Sequence, residues 1–139
     1  MRSLPAPFLI AAPCLALGLV ACSSEQGTYV GQRSNPIYAT QSLGELEAVI
    51  PEPVPVRSVI AAAEATLRDR GYTIWSARTT DERGRIEARP PSRDMGRPWI
   101  VEAWAASREQ TAISVSGGPW DDDQAARVLM DAILQRLGR

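Results

Sequence analysis

The sequence predicts an α+β fold, a two-layer sandwich in which two helices pack on one face of a mainly antiparallel sheet of four to five strands. Three observations lead there. Segments 56–67 and 126–137 repeat apolar residues at three- and four-residue spacing, so each carries one apolar stripe. Four segments between them switch to period two, the pattern of half-buried strands. The chain has 139 residues, 45% of them hydrophobic, enough for one small core. One-sided helices and a sheet resolve most simply as two layers.

In chain order, the first stretch opens with Arg2 and continues as an apolar run over residues 4–20, broken by Pro5, Pro7 and Pro13. This is the layout of a secretory signal, and it is shorter than the roughly 20 apolar residues that span a bilayer. It closes on Leu19-Val20-Ala21-Cys22-Ser23, which resembles the lipobox of bacterial lipoproteins, where the cysteine thiol receives diacylglycerol before the peptidase cuts. The resemblance implies a signal peptide at 1–21, cleavage between Ala21 and Cys22, and lipid attachment at Cys22. Cys14 is no rival, because Pro13 directly precedes it. Two or three acyl chains, at about 0.8 kcal/mol per buried CH₂, would give a stable membrane anchor. Ser23 stands where an Asp resembles the inner-membrane retention signal of enteric bacteria. The expected location is therefore the inner leaflet of the outer membrane, facing the periplasm.

Residues 22–42 are rich in Ser, Gly, Gln and Asn and show no periodicity, so they are expected to be a flexible tether. The domain proper is expected at 43–139. Residues 43–50 alternate partly, with Leu46, Ala48 and Ile50 on one side, as a half-buried strand would. Pro51, Pro53 and Pro55 end it, since proline cannot donate to a ladder.

The first helix begins near Val56, with Val56, Val59, Ile60, Ala63 and Leu67 on its stripe and Gly71 past its end. Strands are expected over 72–78, 85–89, 99–106 and 111–116, joined as an antiparallel meander by turns at 81–84 and 108–110 and a loop at 90–98. Gly117-Gly118-Pro119-Trp120 leads into the last helix, expected to open at Asp121 with Gln124 three residues on, as in a capping box. Ala126, Leu129, Met130, Ile133 and Leu137 form its stripe, and Gly138 ends it.

The composition excludes much chemistry. Histidine is absent, and once Cys22 is acylated and residues 1–21 are removed no thiol remains. The usual metal ligands, the commonest general base and the thiol nucleophile are thus missing together. No phosphate-binding glycine loop and no nucleophile elbow is present. The formal charge of −1 argues against nucleic acid as a partner. Asp121-Asp122-Asp123 is what a helix start favours, and a calcium loop would need 6–8 oxygen ligands. Glu87 and Glu102 on neighbouring strands could pair as acid and base, but exposed strand acids are common. No catalytic residue, metal or cofactor is expected.

A candidate interaction surface remains. If Ile74, Ile86, Val101, Ala103, Ile113 and Val115 face the helices, alternation puts Trp75, Arg85, Glu87, Arg89, Ile100, Glu102 and Trp104 on the opposite face. Trp75, Arg85, Arg89, Ile100 and Trp104 there have the composition enriched at protein interfaces. The strand near Leu46 or the tether could instead fold over that face, or Arg stems could cover the tryptophans.

From about residue 43 onward the chain resembles a family of small bacterial lipoproteins known only as a domain of unassigned function. The resemblance lies in Arg70-Gly71-Tyr72-Thr73-Ile74, Gly84-Arg85-Ile86-Glu87-Ala88, Thr111-Ala112-Ile113-Ser114-Val115 and Gly118-Pro119-Trp120-Asp121, in that order. The helix followed by Gly-Tyr and Gly-Arg-Ile strands is also similar to lipoprotein subunits of outer-membrane assembly machines, a likeness of fold alone. It implies a lipid-anchored, non-catalytic accessory or protein-interaction subunit with an envelope protein as partner. The alternative is a module that binds a small ligand or a cell-wall polymer, through a pocket under the helices or the Arg-bearing loop at 90–98.

Overall fold

In a computed structural model of the chain, residues 36–42, 44–91, 97–118 and 123–139 are described in full and residues 25–30 by their backbone. Among the described residues nine elements follow in order: β1 (Glu25–Val30), β2 (Pro36–Ser42), β3 (Glu45–Ile50), α1 (Val56–Asp69), β4 (Thr73–Thr79), β5 (Arg83–Arg89), β6 (Trp99–Ala105), β7 (Thr111–Gly117) and α2 (Asp123–Arg136). The expected signal segment 1–21, Cys22, residues 23–24 and 31–35 of the expected tether, Leu43, and residues 92–96 and 119–122 lie outside the described residues.

The fold is α+β, with both helices on one face of an antiparallel sheet. Sheet order is β1-β2-β3-β7-β6-β5-β4, and every pairing is antiparallel. Helix α1 carries the chain from β3 to the far edge, and the β4–β7 meander returns it strand by strand until β7 pairs with β3. Helix α1 packs under β4, β5 and β6, helix α2 under β3 and β7, and the helices touch each other.

The sheet has seven strands rather than four or five. The stretch expected as a flexible tether contributes β1 and β2, so its described part belongs to the sheet. The reason lies in the inward residues of β2. Ile37, Ala39 and Gln41 are buried while Tyr38, Thr40 and Ser42 are exposed, but a small Ala and a polar Gln hide this alternation from a hydrophobicity pattern. Gln41 is tolerated inside because its Nε2 donates to Asp123 Oδ1 at 3.0 Å, tying β2 to the start of α2.

Helix α1 occupies the expected residues and buries Val56, Val59, Ile60, Ala62, Ala63, Thr66 and Leu67. Pro55 stands at its N-terminal cap position, and both Ser58 and Val59 donate to the Pro55 carbonyl. The two helices end alike. Gly71 (φ 77°) and Gly138 (φ 72°) adopt the left-handed conformation that costs other residues a Cβ clash. The residues after them, Tyr72 and Arg139, donate back to the Leu67 and Leu134 carbonyls at 3.0 and 2.9 Å. The stripe of α2 is Ala126, Leu129, Met130, Ile133 and Leu134, with Leu137 only partly buried.

One expected turn is shifted. The polar turn closes between Thr80 and Arg83, where Thr80 N donates to the Arg83 carbonyl at 2.8 Å and Arg83 N donates to Thr80 Oγ1 at 3.0 Å. Gly84 is therefore a residue of β5, not of the turn. It is buried and faces α1, and a Cβ there would lie 2.3 Å from Ile60 Cγ1. Glycine is required at this point by the approach of the helix to the strand.

A single core fills the space between the layers. Its largest fully buried members include Trp99, Leu46, Ile50, Leu67, Ile86, Ile113, Met130 and Ile133. The connection after β3 is pinned to the sheet by Thr111 Oγ1, which donates to the Val54 carbonyl at 2.5 Å. Ion pairs between Asp69 and Arg136 and between Glu52 and Arg139 hold the end of α2 in place.

Candidate interaction surface

The sheet has one face under the helices and one open face, and register decides what stands on each. Three rows cross the open face. Arg83, Trp104, Ala112, Val49 and Tyr38 lie directly opposite one another in the first. Arg85, Glu102, Ser114, Glu47 and Thr40 make the second, and Glu87, Ile100, Ser116, Glu45 and Ser42 the third. Arg85, Ile100 and Trp104 thus share the face, as alternation predicts, and Arg89 follows Glu87 on β5.

Trp75 reaches the same face by a less regular route. Ile74 pairs with Ala88 but Ser76 pairs with Glu87, so Trp75 is the extra residue of a β-bulge. A bulge turns consecutive residues to the same side and increases the local twist. Trp75 is left 64% exposed, with the Arg89 guanidinium 4.0 Å from its ring centroid. Such a cation–π contact is worth about 0.5–1 kcal/mol at an exposed site. The five residues Trp75, Arg85, Arg89, Ile100 and Trp104 therefore form one surface spanning β4, β5 and β6. Ile100 and Trp104 are half-buried. Neither β2 nor β3 folds over this face, since both lie within the sheet.

At its centre Arg85 joins two carboxylates. Its Nη1 lies 2.6 Å from Glu102 Oε1 on β6, and its Nη2 lies 3.0 Å from Glu87 Oε1 on its own strand. The hydrogen bond to Glu102, then that to Glu87, raises the Arg85 pKa above its ordinary value, so the guanidinium stays charged wherever the fold persists. Arg85 and the two acids thus make one ion cluster. Replacing Arg85 by Ala leaves Glu87 and Glu102 as diagonal neighbours with no cation between them. We expect a loss of about 1 kcal/mol in a denaturant titration, small because the arginine is substantially exposed.

The bulge also changes what alternation predicts beyond it. Counting by twos from Ile74 turns Arg78 toward the helices, whereas Arg78 pairs with Arg85 and stands on the open face. Arg83 opposes Trp104. Sequence reasoning missed both, along with Tyr38, which is 60% exposed on β2. On β3 the alternation that turns Leu46, Ala48 and Ile50 inward leaves Glu45 and Glu47 exposed. Among the described residues, Arg78, Arg83 and Arg89 form no ion pair, and neither do Glu45 and Glu47. Positive charge thus collects on β4 and β5, and negative charge on β3.

Among the described residues no group of three His, Cys, Asp or Glu side chains could hold a metal ion, and no helix is long and apolar enough to cross a membrane. No protein-family model and no curated protein matches the chain.

Proposed function

We propose that this chain is a lipid-anchored protein of the bacterial envelope that acts as a non-catalytic interaction subunit, presenting the open face of its sheet to a protein partner. The observation that carries the reading is Trp75, a large aromatic residue held 64% exposed by a bulge and stacked on Arg89 beside the half-buried Trp104. Exposed tryptophan with arginine is the composition of interface hot spots. The absence of histidine and the engagement of Glu87 and Glu102 by Arg85 make this surface better suited to docking than to catalysis.

The anchor reading rests on Leu19-Val20-Ala21-Cys22. Under it the fold sets a short leash. Strand β1 starts at Glu25, three residues past Cys22, and three residues span at most about 11 Å. The β1 edge would therefore stay close to the bilayer, on the proposed inner leaflet of the outer membrane. Six strand spacings of about 4.8 Å separate it from the β4 edge, putting Trp75 roughly 29 Å along the sheet from the anchored side.

A photo-crosslinking residue at position 104, introduced into the full chain in cells, should give a discrete adduct with a protein. The same residue at position 61, exposed on α1, should not. Equal yields from both positions, or none from 104, would remove the open face as the docking surface.

A further inference from the structure

We propose that the partner adds a strand to the outer edge of β4, and that this strand carries carboxylates at alternate positions on the side of the open face. The inference rests on the reading of that face as a docking surface for a protein, and adds how the partner is held and what chemistry it presents.

Strand β4 is the last in the sheet order and pairs with β5 alone. In an antiparallel ladder successive residues direct their backbone groups toward a neighbour and then away from it. Two bonds fix the phase here. Thr80 N donates to the Arg83 carbonyl at 2.8 Å, and Ala105 N donates to the Glu82 carbonyl at 3.0 Å. Arg83 and Arg85 therefore turn their backbone groups toward β4, and Gly84 and Ile86 turn theirs toward β6. On β4 it follows that Arg78 faces β5 while Ala77 and Thr79 point their N–H and C=O groups outward. Both residues are exposed, and among the described residues no hydrogen bond reaches those outward groups. A strand laid alongside would pair with both.

Charge says what that strand carries. Arg78 lies between Ala77 and Thr79, exposed on the open face, and its neighbour across β5 is Arg85. Like charges directly opposite destabilise a strand pair. Arg85 is compensated by Glu87 and Glu102, whereas Arg78 has no ion pair among the described residues. The flank of Arg78 away from β5 belongs to the added strand. A carboxylate there, with its Cβ about 4.5–5.5 Å away, supplies the charge that β5 does not. One row nearer the turn the added strand lies beside Thr80, with Arg83 just beyond that short side chain. A second acid at the alternate position meets positive charge again. In the opposite direction the row holds Ser76 and the 64% exposed Trp75, where an apolar residue packs.

The same arginine turns away a second copy of this chain. Two β4 edges bond through Ala77 and Thr79 of both copies only in the register that sets Arg78 directly opposite Arg78. Charged residues placed in this way keep natural sheet edges from joining one another. A foreign strand with acids in that row meets no such penalty, and main-chain bonds with alternate side-chain contacts are the usual terms of strand addition.

The test adds the peptide Thr-Glu-Val-Glu-Val-Leu-Thr to the full chain purified in detergent and follows amide hydrogen exchange residue by residue. Laid antiparallel to β4, the peptide sets its Glu residues beside Thr80 and Arg78, its Leu beside Trp75, and its Val residues in pairing with Thr79 and Ala77. The Ala77 and Thr79 amides should exchange at least about twofold more slowly with the peptide at about 1 mM, the slowing expected at half occupancy. Lys in place of both Glu should weaken binding at least about tenfold, and Arg78→Glu should reverse the preference between the two peptides. N-methylation of the two Val should abolish the protection, while N-methylation of the two Glu, whose N–H groups point away from β4, should spare it. Unprotected Ala77 and Thr79 amides, equal binding of the Lys peptide, or indifference to methylation at Val would each overturn the proposal. If Arg78→Glu does not fold, the peptide series on the unaltered chain decides. An adduct from position 104 without protection of the edge ends strand addition and leaves the docking reading standing. Protection of the edge without that adduct upholds strand addition and ends the docking of a partner across the open face.

Discussion

Gly84→Ala should lower the stability of the domain by about 1–3 kcal/mol, a large share of what a domain of this size has. The added methyl would lie 2.3 Å from Ile60 Cγ1 and 2.8 Å from Ile60 Cδ1. Neither partner can move freely: Ile60 is 3% exposed in the middle of the α1 stripe, and β5 is bonded to β4 and β6 on its two sides. The effect separates overpacking from backbone entropy by a double-mutant cycle. Ile60→Ala alone empties the space and should cost about 2–5 kcal/mol. In the double variant the new methyl fills part of that space, so its cost should fall below the sum of the two single variants by more than about 1 kcal/mol. Additive losses in urea titrations would mean that Gly84 is not held by the helix.

Cys22→Ser should abolish acyl labelling and leave the chain as an uncut precursor, because in the lipobox route the thiol must be acylated before cleavage. The readouts are incorporation of a labelled fatty acid and the gel mobility of the product. The unaltered chain should carry label and lose its first 21 residues, and the variant should carry none and keep them. With two or three chains at about 0.8 kcal/mol per buried CH₂, the processed form should stay with membranes through a high-salt wash. Label retained by the serine variant, or an unaltered chain that never takes up label, would remove the anchor from the functional reading. The same experiment bears on the short leash. Twenty Gly/Ser residues inserted between Cys22 and Glu25 would loosen the β1 edge from the bilayer without touching the sheet, and the melting temperature should not move.

Much of the fold was legible because helix and strand periods differ. The α1 stripe from Val56 to Leu67 and the meander β4 to β7 follow from patterns of three to four and of two. Strand β2 was not legible. Its inward positions hold one large apolar side chain, a methyl and an amide, and the amide becomes acceptable only when Asp123 arrives from 82 positions away. Likewise Leu137 fits the α2 stripe as well as Leu134 does. Which of them is buried depends on how the last turn meets the sheet, and Leu134 is the one at 2% exposure.

The candidate surface shows the same division. Alternation alone assigned Arg85, Ile100 and Trp104 to the open face, since a strand has no other way to arrange side chains. Arg78 escaped, because the bulge at Trp75 adds one residue to β4 and reverses the parity of all that follows. The cross-strand fork from Arg85 to Glu87 and Glu102 is a matter of register, and so are the opposed charges on β3 and on β4 and β5. The sequence by itself determined the fold class, both helices and the four-strand meander, all of which depend on neighbours along the chain. Only the tertiary structure decided that the supposed tether enters the sheet, that Gly84 gives way to a helix, and that Trp75 stands clear of the surface. Each of these depends on which distant backbone lies alongside, and local periodicity carries no record of that.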